Sequence, residues 1–165
     1  MLITLFSATK HERTIMIKKT LLLITLGLCS IQSVLANVTY TDVLYEQQKI
    51  ANLTVLPKSL NFTVIGDWGH NGHFYQKDVA HQLEIAMFQT DGDFTISTGD
   101  NFYPNGVASV NDPLWQSAYE DIYHGPHTFE PWYVVLGNHD YLGNAQAQLD
   151  YSKKSQRWNL PARYY

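Results

Sequence analysis

From Leu60 onward the chain repeats one arrangement three times: a short run of β-branched and aromatic residues, a glycine-containing polar turn, and a stretch with helical spacing. The first run, Phe62 to Ile65, leads into Gly66-Asp67-Trp68-Gly69-His70-Asn71-Gly72. A helix is predicted over 73–89, because Tyr75, Val79, Leu83 and Met87 recur four apart on one stripe. The second run, Phe94 to Ser97, leads into Gly99-Asp100-Asn101-Phe102-Tyr103-Pro104-Asn105-Gly106. Its helix is predicted to start near Asn111 or Asp112, with Pro113 in the first turn and Trp115, Tyr119 and Ile122 facing inward. The third run, Trp132 to Leu136, precedes Gly137-Asn138-His139-Asp140-Tyr141, and a last helix is predicted from Ala145 to Lys153. This series predicts an α/β fold, βαβαβ on an open parallel sheet. Upstream, 41–52 has the spacing of a helix that packs through Val43, Leu44 and Ile50, and Pro57 ends what precedes it.

Charge separates the first 36 residues from the rest. The 165 residues carry a formal net charge of −4, but 1–36 holds Lys10, Arg13, Lys18 and Lys19 against Glu12 alone, so the remainder has 7 basic and 14 acidic side chains. From Met16 the order is a basic stretch, an apolar run from Leu21 to Leu28 and a small-residue end at Ala36, which predicts a secretory signal cut after Ala36, with the true start at Met16. Thr25 and Gly27 interrupt the apolar run, which is short of the roughly 20 residues of a membrane span, so no stable membrane anchor is expected. Export places the protein outside the cell or in a periplasm. The predicted organisation is signal 1–36, extension 37–59 and domain 60–165. Cys29, the only cysteine, would leave with the signal, so any metal must be held by oxygen and nitrogen. The acidic remainder argues against nucleic acid as a partner.

Three predicted strands each end in a glycine and a side chain able to bind metal. Ligands of an open parallel sheet bind beyond the carboxyl ends of its strands, which is where Asp67, Asp100 and Asn138 fall. A lone Gly-Asp after a strand is usually a turn, whereas three such ends, 33 and 38 residues apart, predict a shared cation, without which two carboxylates would repel.

The ordered motifs GDWG, GDNFY and GNHD resemble those of the calcineurin-like metallophosphoesterases, specifically the purple acid phosphatases of the small tartrate-resistant type. The likeness continues from Leu142 to Tyr165, through YSK, RW-N and a proline before tyrosine, and covers about 60–165. It implies a secreted enzyme that hydrolyses phosphate monoesters through attack by a metal-activated hydroxide. By resemblance Asp67, Asp100 and Tyr103 bind Fe(III), Tyr103 as phenolate, and Asp100 bridges to a second divalent metal (Fe, Zn or Mn) that Asn138 also binds. His139 is the implied catalytic residue facing substrate, Asn101 and His70 are candidate phosphate contacts, and Asp140 supports the ligands from behind. Gly69, where relatives of other types carry histidine, is expected to free the space that Tyr103 occupies. His73, His81, His124 and His127 are read as surface or capping residues, and Lys153, Lys154 and Arg157 as a solvated helix end.

The resemblance further implies histidine ligands from a lone histidine and a Gly-His-x-His, which would follow Tyr165. The chain is therefore expected to be the N-terminal half of a four-layer α/β/β/α sandwich, a fragment lacking three of seven ligands, with apolar area exposed on Val134 and Leu136. Two other readings stay open: an inactive short product that binds metal or a partner, and a phosphodiesterase or nucleotidase of the same superfamily. Oligomeric state is undetermined by sequence.

Overall fold

The computed structural model describes residues 44–45 and 47–165. The predicted signal, Cys29 and Val43 lie outside the described residues. Four strands form one parallel sheet in sequence order: β1 (Phe62–Ile65), β2 (Phe94–Ser97), β3 (Trp132–Val134) and β4 (Trp158–Asn159). Between β1 and β2 runs the helix α1 (Gln76–Thr90), and between β2 and β3 a π-helix, Trp115–Glu120. Two short helices, α2 (Asn138–Leu142) and α3 (Ala145–Tyr151), connect β3 to β4.

Register divides the side chains of the sheet by parity. Thr63, Thr95, Trp132 and Trp158 line up across the sheet, as do Ile65, Ser97 and Val134, and this face is covered. Its core is aromatic: Trp68 meets Phe102, Tyr123, Trp132 and Trp158 at ring separations of 5.4 to 6.3 Å, and Trp115 stacks on Tyr151 at 3.6 Å. Such rings dominate burial energetics through their size. The opposite face carries Phe62, Val64, Phe94 and Tyr133, with Phe62 stacked on Phe94 at 5.0 Å; Val64 is 57% exposed. The expectation that Val134 would be exposed is thus corrected. Side chains alternate with period two, so Val134 lies on the covered face and is fully buried, while its neighbours Tyr133 and Val135 are exposed and Leu136 is half-buried.

The helices differ from the sequence expectation in phase and type. Tyr75 adopts a left-handed conformation (φ 64°) just before α1, so helical geometry starts at Gln76. The buried stripe then runs through Gln76, Ala80, Leu83, Glu84 and Met87, and both Tyr75 and Val79 face outward. Trp115 and Tyr119 are buried as predicted, and Asp112 opens their turn by accepting from Leu114 N at 2.9 Å, but the turn winds as a π-helix and Ile122 is only half-buried. The last helix stops at Tyr151, before Lys153. Upstream, Tyr45 packs 5.6 Å from Phe88, and Ile50 is half-buried, its N–H donating to Gln89 Oε1 at 3.1 Å.

The three members of the basic cluster have different surroundings. Lys153 is exposed beside Asp150 at 2.9 Å, and Lys154 donates to Asn111 Oδ1 at 3.0 Å. Arg157 is buried and paired with Glu120 at 2.7 Å, under Tyr119 and Phe129, so it fastens the core and is no part of a solvated patch. Among the described residues no helix is long and apolar enough to cross a membrane.

Candidate functional site

The carboxyl ends of β1 and β2 are joined by their own backbones: Thr98 N donates to Ile65 O at 2.9 Å and Asp67 N to Gly99 O at 3.1 Å. Both aspartates then turn left-handed, with φ of 55° at Asp67 and 50° at Asp100, a conformation that aspartate tolerates better than most residues. The two carboxylates thereby face the same space. Into it reaches Tyr103, whose hydroxyl donates to Asp67 Oδ1 at 2.7 Å and lies 3.1 Å from Asp100 Oδ2. Three of the four sequence-predicted ligands are brought together this way. The fourth, Asn138, is exposed at the start of α2, one residue before His139, whose N–H donates to Asp100 Oδ1 at 2.9 Å.

Close backbone approach sets these positions. A Cβ on Gly137 would overlap the Asp100 carboxylate, and one on Gly99, which has φ of 104°, would meet Gly137 N at 2.7 Å. Gly69 behaves differently from expectation. The space its missing side chain leaves is filled by the backbone of Asn101 and Phe102, not by the Tyr103 ring, although Tyr103 N does donate to Gly69 O at 2.9 Å.

Tyr103 is flanked by two imidazoles. His70 stacks on its ring at 4.1 Å and 11°, and His139 lies 4.4 Å away, tilted by 44°. His139 Nδ1 is 2.6 Å from Pro104 O; a carbonyl only accepts, so Nδ1 carries the hydrogen and Nε2 is the nitrogen left to meet a ligand. Desolvation first, then the hydrogen bonds to Asp67 and Asp100 and their negative charge, push the Tyr103 phenol well above its ordinary range. These same contacts favour the protonated phenol, whose one hydrogen is shared unequally between Asp67 Oδ1 at 2.7 Å and Asp100 Oδ2 at 3.1 Å.

Under the site lies a buried polar chain. Asp140 is fully buried and accepts from Asn101 N at 3.0 Å, Phe102 N at 3.2 Å, Gly137 N at 2.9 Å and Gln148 Nε2 at 2.8 Å. Burial raises its carboxyl, and the hydrogen bonds from Gln148 and the three backbone amides pull it part of the way back. Asn101 continues the chain: its amide nitrogen reaches Val135 O at 2.9 Å and Gln148 Oε1 at 3.2 Å, and its oxygen accepts from Ser97, which accepts from Trp68 Nε1 at 2.9 Å. This corrects the placement of Asn101 against phosphate. Its side chain is fully buried and bonded inward, where it fixes the second loop to the third. Ser97 and Gln148 had no motif to mark them, and only the fold puts them here.

The remaining histidines stand elsewhere. His73 is exposed, His81 is exposed with Nε2 3.1 Å from Gln48 Oε1, and His124 Nδ1 caps Asp121 O at 2.6 Å. His127 is half-buried against Tyr45 and Phe88, so it is a packing residue and not a surface one.

The donors fit a hard, highly charged cation better than a soft one. Among the described residues no three His, Cys, Asp or Glu side chains are gathered for a metal, so the cluster is two carboxylates and a phenol, with an amide nearby. The Tyr103 hydroxyl lies within hydrogen-bond reach of both carboxylates, an all-oxygen donor set of the kind that hard cations prefer.

Comparison with known proteins points the same way. Residues 60–165 match the calcineurin-like phosphoesterase family. The chain is similar to purple acid phosphatase 7 of Arabidopsis thaliana, 50% identical over 102 residues that cover 61% of this chain and 31% of that protein. It is also similar to the tartrate-resistant acid phosphatase type 5 of Homo sapiens, 45% identical over 113 residues that cover 65% of this chain and 35% of that protein. Among solved structures it resembles one described as GAP50, the anchor in the inner membrane complex of Plasmodium, with a TM-score of 0.57, 33% identity, and coverage of 64% of this chain and 35% of that one. The chain spans about a third of the length of these relatives.

Proposed function

Because the chain belongs to the calcineurin-like phosphoesterase family, we propose that it forms the N-terminal part of an exported acid phosphatase with a dinuclear metal centre. The observation that carries this reading is the convergence of Asp67 and Asp100 on the Tyr103 hydroxyl at the ends of β1 and β2. Identities of 45% and 50% to a tartrate-resistant and a purple acid phosphatase support a phosphate monoester as substrate in preference to a phosphodiester.

Asp67, Asp100 and Tyr103 would hold Fe(III), and Asp100 and Asn138 would share a second, divalent ion, iron, zinc or manganese. Such a pair supplies Lewis acidity toward phosphoryl oxygens and an activated water near acid pH. The chain's own groups then position and protonate. Tyr103 would serve a bound ion as phenolate, and the stacked His70 and the tilted His139 hold its ring in place. His139, fixed through Nδ1 by Pro104 O, presents Nε2 to stabilise phosphoryl charge or to protonate the departing alkoxide. Asp140 touches no substrate; it locks the backbones of Asn101, Phe102 and Gly137, and with them the directions of Asp100 and Asn138. The segment Met16 to Ala36 supports export, outside the cell or into a periplasm.

Metal dependence tests the proposal. The protein expressed from its native transcript should hydrolyse phenyl phosphate at acid pH, lose that activity on chelation, and regain it with ferric plus a divalent ion. Undiminished hydrolysis by protein shown to be free of metal would overturn the proposal.

A further inference from the structure

We infer that His70 and Phe74 form an aromatic shelf that selects phosphate esters of aromatic alcohols, by stacking the ring of the leaving group beside the Asp67–Asp100–Tyr103 centre. The inference rests on the phosphatase reading above. Four rings stand in a row along the edge of the site: Phe74 lies 5.2 Å from His70, edge-on at 72°, His70 lies 4.1 Å from Tyr103, and Tyr103 lies 4.4 Å from His139. The Tyr103 hydroxyl marks the centre where the phosphate would sit. Phe74, at the far end of the row, is 81% exposed.

A cavity of about 100 Å³ opens beneath the shelf, and Asp67, His70, Phe74, Gln76 and Tyr123 all line it. It therefore joins a carboxylate of the centre to the outermost ring. Its volume is of the order of one aromatic ring, since cavities of roughly 150 Å³ admit benzene.

The backbone that carries the shelf is strained and well anchored. Asn71, Gly72, Phe74 and Tyr75 all have positive φ, at 53°, 79°, 51° and 64°. For glycine and asparagine this is ordinary, but for two bulky aromatics it is an outlier that the surroundings must impose. Gln76 anchors the start of the loop: its buried side chain accepts from Gly72 N at 2.7 Å and donates to Ala118 O at 2.7 Å, tying the loop to the π-helix. A lone exposed phenylalanine needs no explanation. One held by a strained, pinned loop, in line with three rings of the site, points to a ligand.

The test compares benzyl phosphate with ethyl phosphate, whose alcohols are similar leaving groups, so that only the ring differs. Phe74→Asn removes the ring and tolerates the positive φ, and because Phe74 is exposed the fold should survive. The ratio of kcat/KM for benzyl over ethyl phosphate should fall about fivefold in Phe74→Asn, the scale of one aromatic contact. Phe74→Tyr should keep the wild-type ratio. An unchanged ratio in Phe74→Asn, with both esters hydrolysed by the wild type, overturns the shelf and leaves the phosphatase reading intact. A wild type that hydrolyses phenyl phosphate but not benzyl phosphate overturns the shelf alone, and one that hydrolyses none of the three esters sinks the phosphatase reading and the shelf with it.

Discussion

Replacing Asp100 by Asn is expected to reduce phosphomonoester hydrolysis by more than a hundredfold, the largest functional effect of any single change at the site. Loss of a group that merely supports a metal ligand typically costs 10- to 100-fold, and Asp100 stands closer to the centre than that. One oxygen faces the Tyr103 hydroxyl at 3.1 Å and the other accepts from His139 N at 2.9 Å, so this carboxylate touches both the proposed ferric ligand set and the helix that bears Asn138 and His139. An amide at the same place removes the charge that two cations would share. It also sets an NH₂ against either the His139 N–H or the Tyr103 hydroxyl. Steady-state kinetics with metal content measured on the same sample checks this, and activity within a few-fold of wild type at full metal occupancy would refute the shared role.

Asp140→Ala should produce the largest loss of stability, on the order of 3–5 kcal/mol in the unfolding free energy of the chain. The substitution leaves the N–H groups of Asn101, Phe102 and Gly137 and the Gln148 amide without their acceptor in a place water does not reach. Each orphaned donor costs roughly 1–3 kcal/mol, offset in part by rearrangement of the loops. Urea unfolding monitored by tryptophan fluorescence measures it, because Trp68 and Trp158 both bond into the same chain through Ser97 and Gln148. A shift below about 1 kcal/mol would mean that water or a neighbour replaces the carboxylate, and that the floor of the site is not built as described.

Much of the sheet could be read directly from the sequence, because alternation within a short apolar run is a local property. Phe62–Ile65 and Phe94–Ser97 form strands with the predicted bounds. The third run ends early, at Val134, since Val135 and Leu136 already belong to the descent into the Gly137 turn. β4 is only Trp158–Asn159, too short to carry a period, and was not foreseen. Phase was the weakness in the helices. The spacing of Tyr75, Val79, Leu83 and Met87 suggested one stripe, but the left-handed turn at Phe74 and Tyr75 delays the helix, and Gln76 and Glu84 take buried positions that apolar periodicity cannot assign to them.

At the site, glycine spacing brought out Asp67, Asp100 and Asn138, because sharp turns after parallel strands place their side chains by topology alone, whereas Tyr103 entered only through the family resemblance. The supporting chain from Trp68 through Ser97, Asn101 and Asp140 to Gln148 could not be seen that way. Its partners are 4 to 39 residues apart, and which polar side chain faces which depends on the register of three strands and the docking of α3. Asn101 illustrates the difference: its place beside Asp100 in the sequence suggested phosphate, and the turn directs it into the core.

The most direct test of the central claim is the visible absorption of the protein loaded with ferric and divalent ions, recorded for the wild type and for Tyr103→Phe. The Tyr103 phenol lies between Asp67 and Asp100 and would become the ferric ligand, so the wild type should show a tyrosinate-to-iron charge-transfer band, and Tyr103→Phe should lose it while retaining its fold. A colourless, iron-free and fully active wild-type protein, or a band that persists in Tyr103→Phe, would contradict the account.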